Sequence, residues 1–175
     1  MRRTRCSVPL EVVVDNREAY IILNLLSDVG PLRVNQLLTF FGEPVAILRA
    51  SRAELLRIPG VGERVADAIS DWESHCELDA EYQRAEQGGV TLITREDATY
   101  PALLREIHDP PLALYVRGDP AAVCCPNSSI AVVGSRRTTN YGVSVARNLG
   151  TAAGVAGWTV VSGLARGIDT VTHEA

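Results

Sequence analysis

The feature that most restricts the fold is a pattern of apolar strand, glycine-rich turn and helix that occurs twice after residue 128. In the first copy, the strand-like run 129–133 leads through Gly134 into a helical stretch over 140–155. In the second, the run 158–161 leads to a helix that opens near Gly167. Continuous apolar runs are typical of strands buried on both faces. Strand, helix, strand, helix in this order predicts parallel strands joined by right-handed crossovers, as in a Rossmann-like sheet.

The region 17–88 has helical periodicity instead. Its apolar residues recur at helical spacing in two stripes, namely Ile21, Ile22, Leu25, Leu26 and Val29, then Val34, Leu37, Leu38 and Phe41. Ser51 followed by Glu54 predicts a capping box at the start of a short helix. After Gly62 we predict one longer helix that continues to Gly88-Gly89. Its buried face should carry Val65, Ile69, Trp72 and Cys76.

Gly88-Gly89 is the clearest boundary in the sequence. Strand-like runs follow it at 90–93 and 112–116. We therefore expect an α/β protein with a helical domain over 1–88 and a Rossmann-like domain over 89–175. Within 126–175, Asn140 to Val155 should bury Val145, Ala146, Leu149, Ala153 and Ala156. An open parallel sheet normally continues beyond its second crossover, so we expect either a fragment or a truncated product.

Charge is unevenly distributed along the chain. The net charge is −4, yet residues 126–175 hold four of the 17 basic residues and only two of the 21 acidic ones. This last third is locally basic, which suits an anion-binding site. All the basic residues are arginine, which excludes a Walker-type phosphate loop and Schiff-base chemistry, because both need lysine.

Cysteine usage and hydropathy predict a cytosolic protein that does not enter a membrane. Cys6 and Cys76 are isolated and Cys124-Cys125 are adjacent, a pattern of buried or idle thiols rather than of a metal site or disulfides. No apolar run is long enough to span a membrane. The basic start 1–5 is followed by an apolar stretch too poor for a signal peptide.

Two glycine-rich turns could bind phosphate. The first contains Gly134, Ser135, Arg136 and Arg137, and it leads from a strand into a helix. Loop amides and a helix N-terminus bind phosphate at this position of such sheets, and arginine forms forked hydrogen bonds to phosphate. The alternative is a solvated loop with paired arginines. No dinucleotide-type glycine fingerprint is present.

The second turn contains Ser162, Gly163, Arg166, Gly167 and Asp169. Both turns follow strands at their C-terminal ends, so they should line one crevice made cationic by their arginines. Asp169 favours structural capping of the helix that follows. His173, one turn farther on, is typical of a packed or surface histidine rather than a catalyst.

Gly60-Val61-Gly62 lies between two helical stretches and resembles a helix-hairpin-helix. Such amides can face a phosphate. However, Glu63 lies beside them and residues 1–88 hold more acids than arginines. A structural or protein-contacting hairpin and a DNA contact both remain open.

The runs Ile130–Gly142 and Val160–His173 closely resemble the two signature stretches of the DprA/Smf family. The linker from Tyr100-Pro101 to Arg117-Gly118 resembles that family's entry into its Rossmann-like domain. Residues 17–88 resemble its SAM-like N-terminal domain. Departures from the pattern are Val171, Thr172 and Glu174, and the family's remaining Rossmann-like strands and winged-helix module do not appear.

The resemblance implies a cytosolic single-stranded DNA-binding protein, without catalytic residues, metal or cofactor. Such a protein protects incoming DNA and helps to load RecA in natural transformation. It implies that Gly134, Ser135 and Arg136 form the DNA-facing turn, and that Ser162, Gly163, Gly167 and Asp169 form the second turn. A homodimer is implied for the full-length family and is in doubt for this chain.

Two other classes remain as alternatives. One is a nucleotide-binding hydrolase on a related Rossmann-like scaffold, although the Pro-Gly-Gly-x-Gly-Thr loop of such enzymes is not found here. The other is an interaction module that docks a partner through the acidic helical region.

Overall fold

A computed structural model of the chain describes residues 14–124 and 128–175. Eleven helices and four strands occur in this part of the chain. The α/β fold class is confirmed. The residues fall into two compact units, one ending at Arg117 and the other beginning at Gly118. Within the described ranges, no helix is both long enough and apolar enough to cross a membrane.

From residue 14 onward, the first unit contains seven helices, followed by a strand, a short helix and a second strand. The helices are α1 (Asn16–Leu25), α2 (Pro31–Phe41), α3 (Pro44–Arg49), α4 (Arg52–Leu55), α5 (Glu63–Ser70), α6 (Trp72–His75) and α7 (Leu78–Gln87). The remaining elements are β1 (Val90–Thr94), α8 (Ala102–Arg105) and β2 (Ala113–Arg117).

Helix starts in this unit follow the signals in the sequence. The Ser51 hydroxyl accepts a hydrogen bond from the amide of Glu54, and the Glu54 carboxylate accepts one from the amide of Ser51. This confirms the predicted capping box. Asp15 and Glu18 form a second one at the start of α1. Both apolar stripes supply the core, where Ile22, Leu23, Val34 and Leu37 are fully buried, among others.

The single long helix predicted after Gly62 is wrong, because the chain breaks it into α5, α6 and α7. At Asp71 the backbone leaves the helical region (φ −116°, ψ 31°), and its side chain accepts a hydrogen bond from the Ser74 hydroxyl at 2.6 Å. Such local side-chain bonds compete with the helix. Cys76 is extended and ends α6. The predicted stripe still enters the core, with Val65, Ile69 and Cys76 buried and Trp72 packed against them.

Strands β1 and β2 are antiparallel, with Leu92 opposite Tyr115. Leu92 packs against Ile21 of α1 and Ala85 of α7. Leu112, just before β2, belongs to the helical core. The contacts therefore place residues 90–117 with the helices, although the sequence pattern changes at Gly88-Gly89.

Arginine side chains connect the β1–β2 region to the helices. The Arg17 guanidinium donates to the Asp97 carboxylate at 3.1 Å, to the Tyr82 hydroxyl at 3.1 Å and to the Leu92 carbonyl at 2.8 Å. Arg95 donates to the carbonyl oxygens of Pro110 and Pro111 and to the side chain of Asn35. Its guanidinium also lies 5.7 Å from the centroid of the Tyr20 ring, within the range of a cation–π contact.

The second unit contains α9 (Pro120–Cys124), β3 (Ser129–Ala131), α10 (Asn140–Val155), β4 (Thr159–Val161) and α11 (Ile168–His173). Strands β3 and β4 are parallel, with Ile130 opposite Val160, as the strand and helix order predicts. Helix α10 has the predicted bounds.

Burial in this unit differs from the prediction. Ala146 and Ala153 are buried, but Val145, Leu149 and Ala156 are exposed. The physical reason is that α10 meets α11 through its small residues, since a Cβ atom at Gly150 would lie 2.5 Å from the Thr172 carbonyl oxygen. The two strands are also more exposed than expected. Val132 is buried, whereas Val133 and Val161 are 83% and 53% exposed, and no other described strand pairs with β3 or β4.

Candidate functional site

The two predicted turns leave the same edge of the β3–β4 pair. The amide of Val132 donates to the carbonyl of Val161 at 3.0 Å, which extends the ladder to the start of both turns. The Ser162 hydroxyl then reaches back to the carbonyl of Val132 at 2.7 Å. The structure thus brings the two turns side by side, as parallel strands with a short crossover require.

Gly134 and Gly167 allow the two turns to touch. A Cβ atom at Gly167 would lie 2.3 Å from the carbonyl oxygen of Ser135 and 2.9 Å from the Cα of Arg136, and Gly167 has φ +103°. A Cβ at Gly134 would lie 2.6 Å from the side chain of Ile168. Since real Cβ atoms do not approach other atoms so closely, both positions require glycine. Arg136 and Arg166 consequently flank one backbone contact.

Ser135 and Thr139 shape the first turn. The Ser135 hydroxyl donates to the Arg137 carbonyl at 2.7 Å, and its oxygen lies 3.1 Å from the Arg137 amide. Thr139 caps α10 by accepting a hydrogen bond from the amide of Gly142. These local bonds set where the chain bends and where the helix begins.

Asp169 holds the second turn. It is buried, and its carboxylate accepts hydrogen bonds from the amides of Gly163 at 3.2 Å and Ala165 at 3.4 Å. Desolvation opposes ionisation of this carboxyl, but the Ser162 hydroxyl and the backbone amides outweigh it and lower its pKa. The Ser162 hydroxyl has one proton, which the Val132 carbonyl also attracts, so the amides are the permanent donors. This arrangement fits the structural capping interpretation of Asp169.

The arginines of the two turns are exposed and unpaired. Within residues 14–124 and 128–175, no carboxylate lies within 4.0 Å of the Arg136, Arg137 or Arg166 guanidinium. The chain has no acidic residue between Asp119 and Asp169, and Asp169 is occupied by backbone amides. The positive charge at the turns is therefore not neutralised locally, which favours an anionic ligand. The alternative of a loop with paired arginines does not hold for this part of the chain.

Ile168, which the sequence analysis did not select, has a central place between the turns. Its side chain lies beneath Gly134, and its Cδ1 would be 3.4 Å from a Cβ at Gly142. Its amide donates to the carbonyl of Ser135 at 3.3 Å. Glycines at 134 and 142, both flanking the arginine turn, were the available signal that a bulky side chain packs there. Leu164, in the second turn, was also not selected from the sequence. It has φ +54° and is 77% exposed.

The segment that resembles a helix-hairpin-helix lines an open groove together with Asp28 and Arg33. Arg33 donates to the carbonyl of Gly60, and Arg64 lies 3.9 Å from Asp28. Gly62 begins α5 without a side-chain cap. The carbonyl contact fits the structural interpretation of Gly60-Val61-Gly62.

The remaining residues singled out in the sequence lie outside the two turns. Cys76 is buried, and burial raises its thiol pKa, as expected of an idle thiol. His173 is exposed. The interpretations of the basic start 1–5, of the apolar stretch up to residue 13 and of Cys6 and Cys125 lie outside the described residues, and the side chain of Cys124 is likewise not described.

Comparison with known proteins connects this geometry to a family. The family model described as "DNA recombination-mediator protein A" matches residues 91–175, which include both turns. Over these residues the chain is similar to the DprA/Smf family. It is 38% identical over 87 residues to the DNA processing protein DprA of Bacillus subtilis (strain 168), an alignment covering 50% of this chain and 29% of that protein.

Two further similarities extend over nearly the whole chain. The protein Smf of Synechocystis is 27% identical over 166 residues, covering 93% of this chain and 42% of that protein. The X-ray structure of DprA from Streptococcus pneumoniae matches with a TM-score of 0.66 at 24% identity, covering 92% of this chain and 53% of that one. This structural match shows the fold. The chain spans less than half the length of the two curated relatives from Bacillus subtilis and Synechocystis.

Proposed function

We propose that this chain binds single-stranded DNA at its two turns and acts in DNA recombination during natural transformation. The observation that carries the proposal is the contact between the turns, which carry Arg136, Arg137 and Arg166, none of them within 4.0 Å of a carboxylate of the described residues. Contacts to phosphates supply most of the affinity of such proteins without reading sequence. We therefore expect binding with little base preference.

The role in the cell rests on the family. Its members carry the names DNA processing protein DprA and protein Smf. We propose that this chain protects incoming DNA and helps to load RecA in the cytoplasm. The resemblance of its two signature stretches to the DprA/Smf family supports this proposal. We propose further that a homodimer belongs to the full-length family, while this chain associates less specifically.

We also propose that the site is not catalytic. The buried carboxylate of Asp169 is held by two amides, and His173 is exposed one turn farther along the same helix. Among the described residues, no group of three or more His, Cys, Asp or Glu side chains could hold a metal ion. We therefore expect the described residues to supply no acid–base pair beside the arginines.

A filter-binding assay separates the classes. Labelled oligo-dT, a duplex of the same length and free AMP are each titrated with the purified chain. We expect retention of oligo-dT and no retention or turnover of AMP. Binding of AMP in place of DNA would support a nucleotide-binding hydrolase, and retention of no ligand would support an interaction module. Turnover that persists through repurification and is lost on substitution of Asp169 or His173 would contradict a non-catalytic site.

A further inference from the structure

The helix that follows the arginine turn exposes an aromatic ring beside the proposed phosphate site. Tyr141 is the second residue of α10 and is 80% exposed. Only four residues separate it from Arg136 and three from Arg137. A single exposed aromatic residue is ordinary on a protein surface, so its position relative to the arginines is what matters.

The orientation of this ring follows from how α10 packs. Gly142 faces Ile168 of α11, and Ala146, Gly150 and Ala153 continue the buried stripe. At 3.6 residues per turn, Tyr141 lies on the side of α10 away from that stripe. The Thr139 cap sets the first turn of the helix, so the backbone that carries the ring is well defined.

The exposed face of α10 is suited to a polyanion. Ser144 and Asn148 follow Tyr141 on this face and are exposed, and Arg147 lies at its edge. No acidic residue occurs in α10. A nucleic-acid strand held by the turn arginines could therefore approach Tyr141 without meeting a repelling charge.

We infer that Tyr141 stacks on a nucleobase of the bound strand and thereby gives the site its preference for single-stranded over duplex DNA. This inference rests on the proposed function. Aromatic side chains stack on the bases of single strands without reading sequence. In a duplex the base faces are covered by their neighbours, so the ring can add affinity only where bases are unstacked. The arginines contact phosphates in either form and do not discriminate.

The test uses the full chain and three ligands of equal length, namely oligo-dT, an abasic strand with the same phosphates, and duplex DNA. Tyr141→Ala should weaken binding of oligo-dT roughly 5- to 150-fold, the effect of losing one aromatic stack. It should leave binding of the abasic strand and the duplex unchanged. Tyr141→Phe keeps the ring and should bind oligo-dT like the unaltered chain.

Val155→Ala is the matched control, because Val155 is 86% exposed at the opposite end of α10 and far from the turns. It should change none of the three affinities. Equal weakening of all three ligands by Tyr141→Ala would mean a general loss of the site and overturn stacking. Unchanged oligo-dT affinity in Tyr141→Ala would overturn the inference while leaving the proposed function intact. If the unaltered chain bound no DNA at all, the proposed function and this inference would both fall.

Discussion

Individual glycines show how closely the two turns depend on backbone geometry. Gly167 has a positive φ, and a methyl group there would collide with the Ser135 carbonyl. We predict that Gly167→Ala lowers the free energy of unfolding of the second unit by roughly 1 to 3 kcal/mol from the backbone conformation alone. Urea unfolding followed by the fluorescence of Trp158 measures this in a Trp72→Phe background, since the chain has two tryptophans.

The matched control for this prediction is Gly154→Ala in the same unit. Gly154 has open space around it and belongs to α10. Alanine there should raise stability by roughly 0.5 to 1 kcal/mol, because it favours the helix. Equal effects of the two substitutions would contradict the close approach of the turns.

Asp169 should make the stability of the second unit depend on pH. Its pKa is lower in the folded chain than its ordinary value of 3.8. Its stabilising effect is therefore fully present above the unfolded pKa and is lost as pH falls through the folded pKa. We predict that Asp169→Asn lowers the free energy of unfolding at pH 7. The loss of stability as pH falls below about 5 should also be smaller in this variant. Urea unfolding at several pH values, with Trp158 as the probe, checks this. An unchanged acid profile would show that the carboxylate does not hold the turn.

At the scale of elements, the sequence patterns predicted helix bounds and turns well, and the packing of elements against one another less well. The capping box at Ser51, the bounds of α10 and the turn at Gly134 follow from short-range chemistry and are confirmed. The break at Asp71 depends on one side chain competing with the helix, which apolar periodicity does not show.

The sequence patterns predicted the parallel β3–β4 pair but not the pairing of β1 with β2. The runs at 90–93 and 112–116 were recognised as strands, but nothing local indicates that they pair with each other and pack against α1 and α7. The exposure of Val145 and Leu149 has the same origin. Their apolar character suggested burial, whereas the contact with α11 uses small residues of α10. For the site, the two turns and their arginines were predictable, but the role of Ile168 beneath them was not.

Arg17 connects α1 to the β1–β2 hairpin, so its loss should weaken the whole first unit. The guanidinium has three partners on three segments, namely Asp97, Tyr82 and Leu92. We predict that Arg17→Met lowers stability by about 1 to 3 kcal/mol, because hydrogen bonds to a charged group are lost and their partners stay desolvated. Urea unfolding with Trp72 as the probe, in a Trp158→Phe background, measures this.

Arg64→Met is the control for Arg17→Met, since Arg64 is 88% exposed and such exposed ion pairs contribute little to stability. Equal stabilities would show that the hairpin does not depend on Arg17.

At the scale of the molecule, the second unit combines an open strand pair with exposed apolar residues. Val133, Val155 and Val161 are more than half exposed, and in the described chain β3 and β4 pair only with each other. Open edges with apolar neighbours favour association. We predict a rise in apparent mass with concentration in light scattering, reduced by Val133→Thr. A monodisperse dimer at all concentrations would contradict this nonspecific association.

Charge is also divided at this scale. The acid-free stretch between Asp119 and Asp169 lies within the second unit, so the chain carries a locally basic surface despite its net charge of −4. A basic surface of this kind binds nucleic acid when its charges meet phosphates. We therefore expect the arginine turns, and not the chain as a whole, to bind DNA.

The measurement that tests this most directly is the salt dependence of oligo-dT binding for the unaltered chain, Arg136→Ala and Arg49→Ala. Arg49 is an exposed arginine of the first unit and serves as the control. Each lost phosphate contact on a single strand should reduce the slope of log affinity against log salt by about 0.7. We predict weaker binding and a slope reduced by this amount for Arg136→Ala, and no change for Arg49→Ala. Unchanged affinity and slope for Arg136→Ala would contradict a phosphate site at these turns.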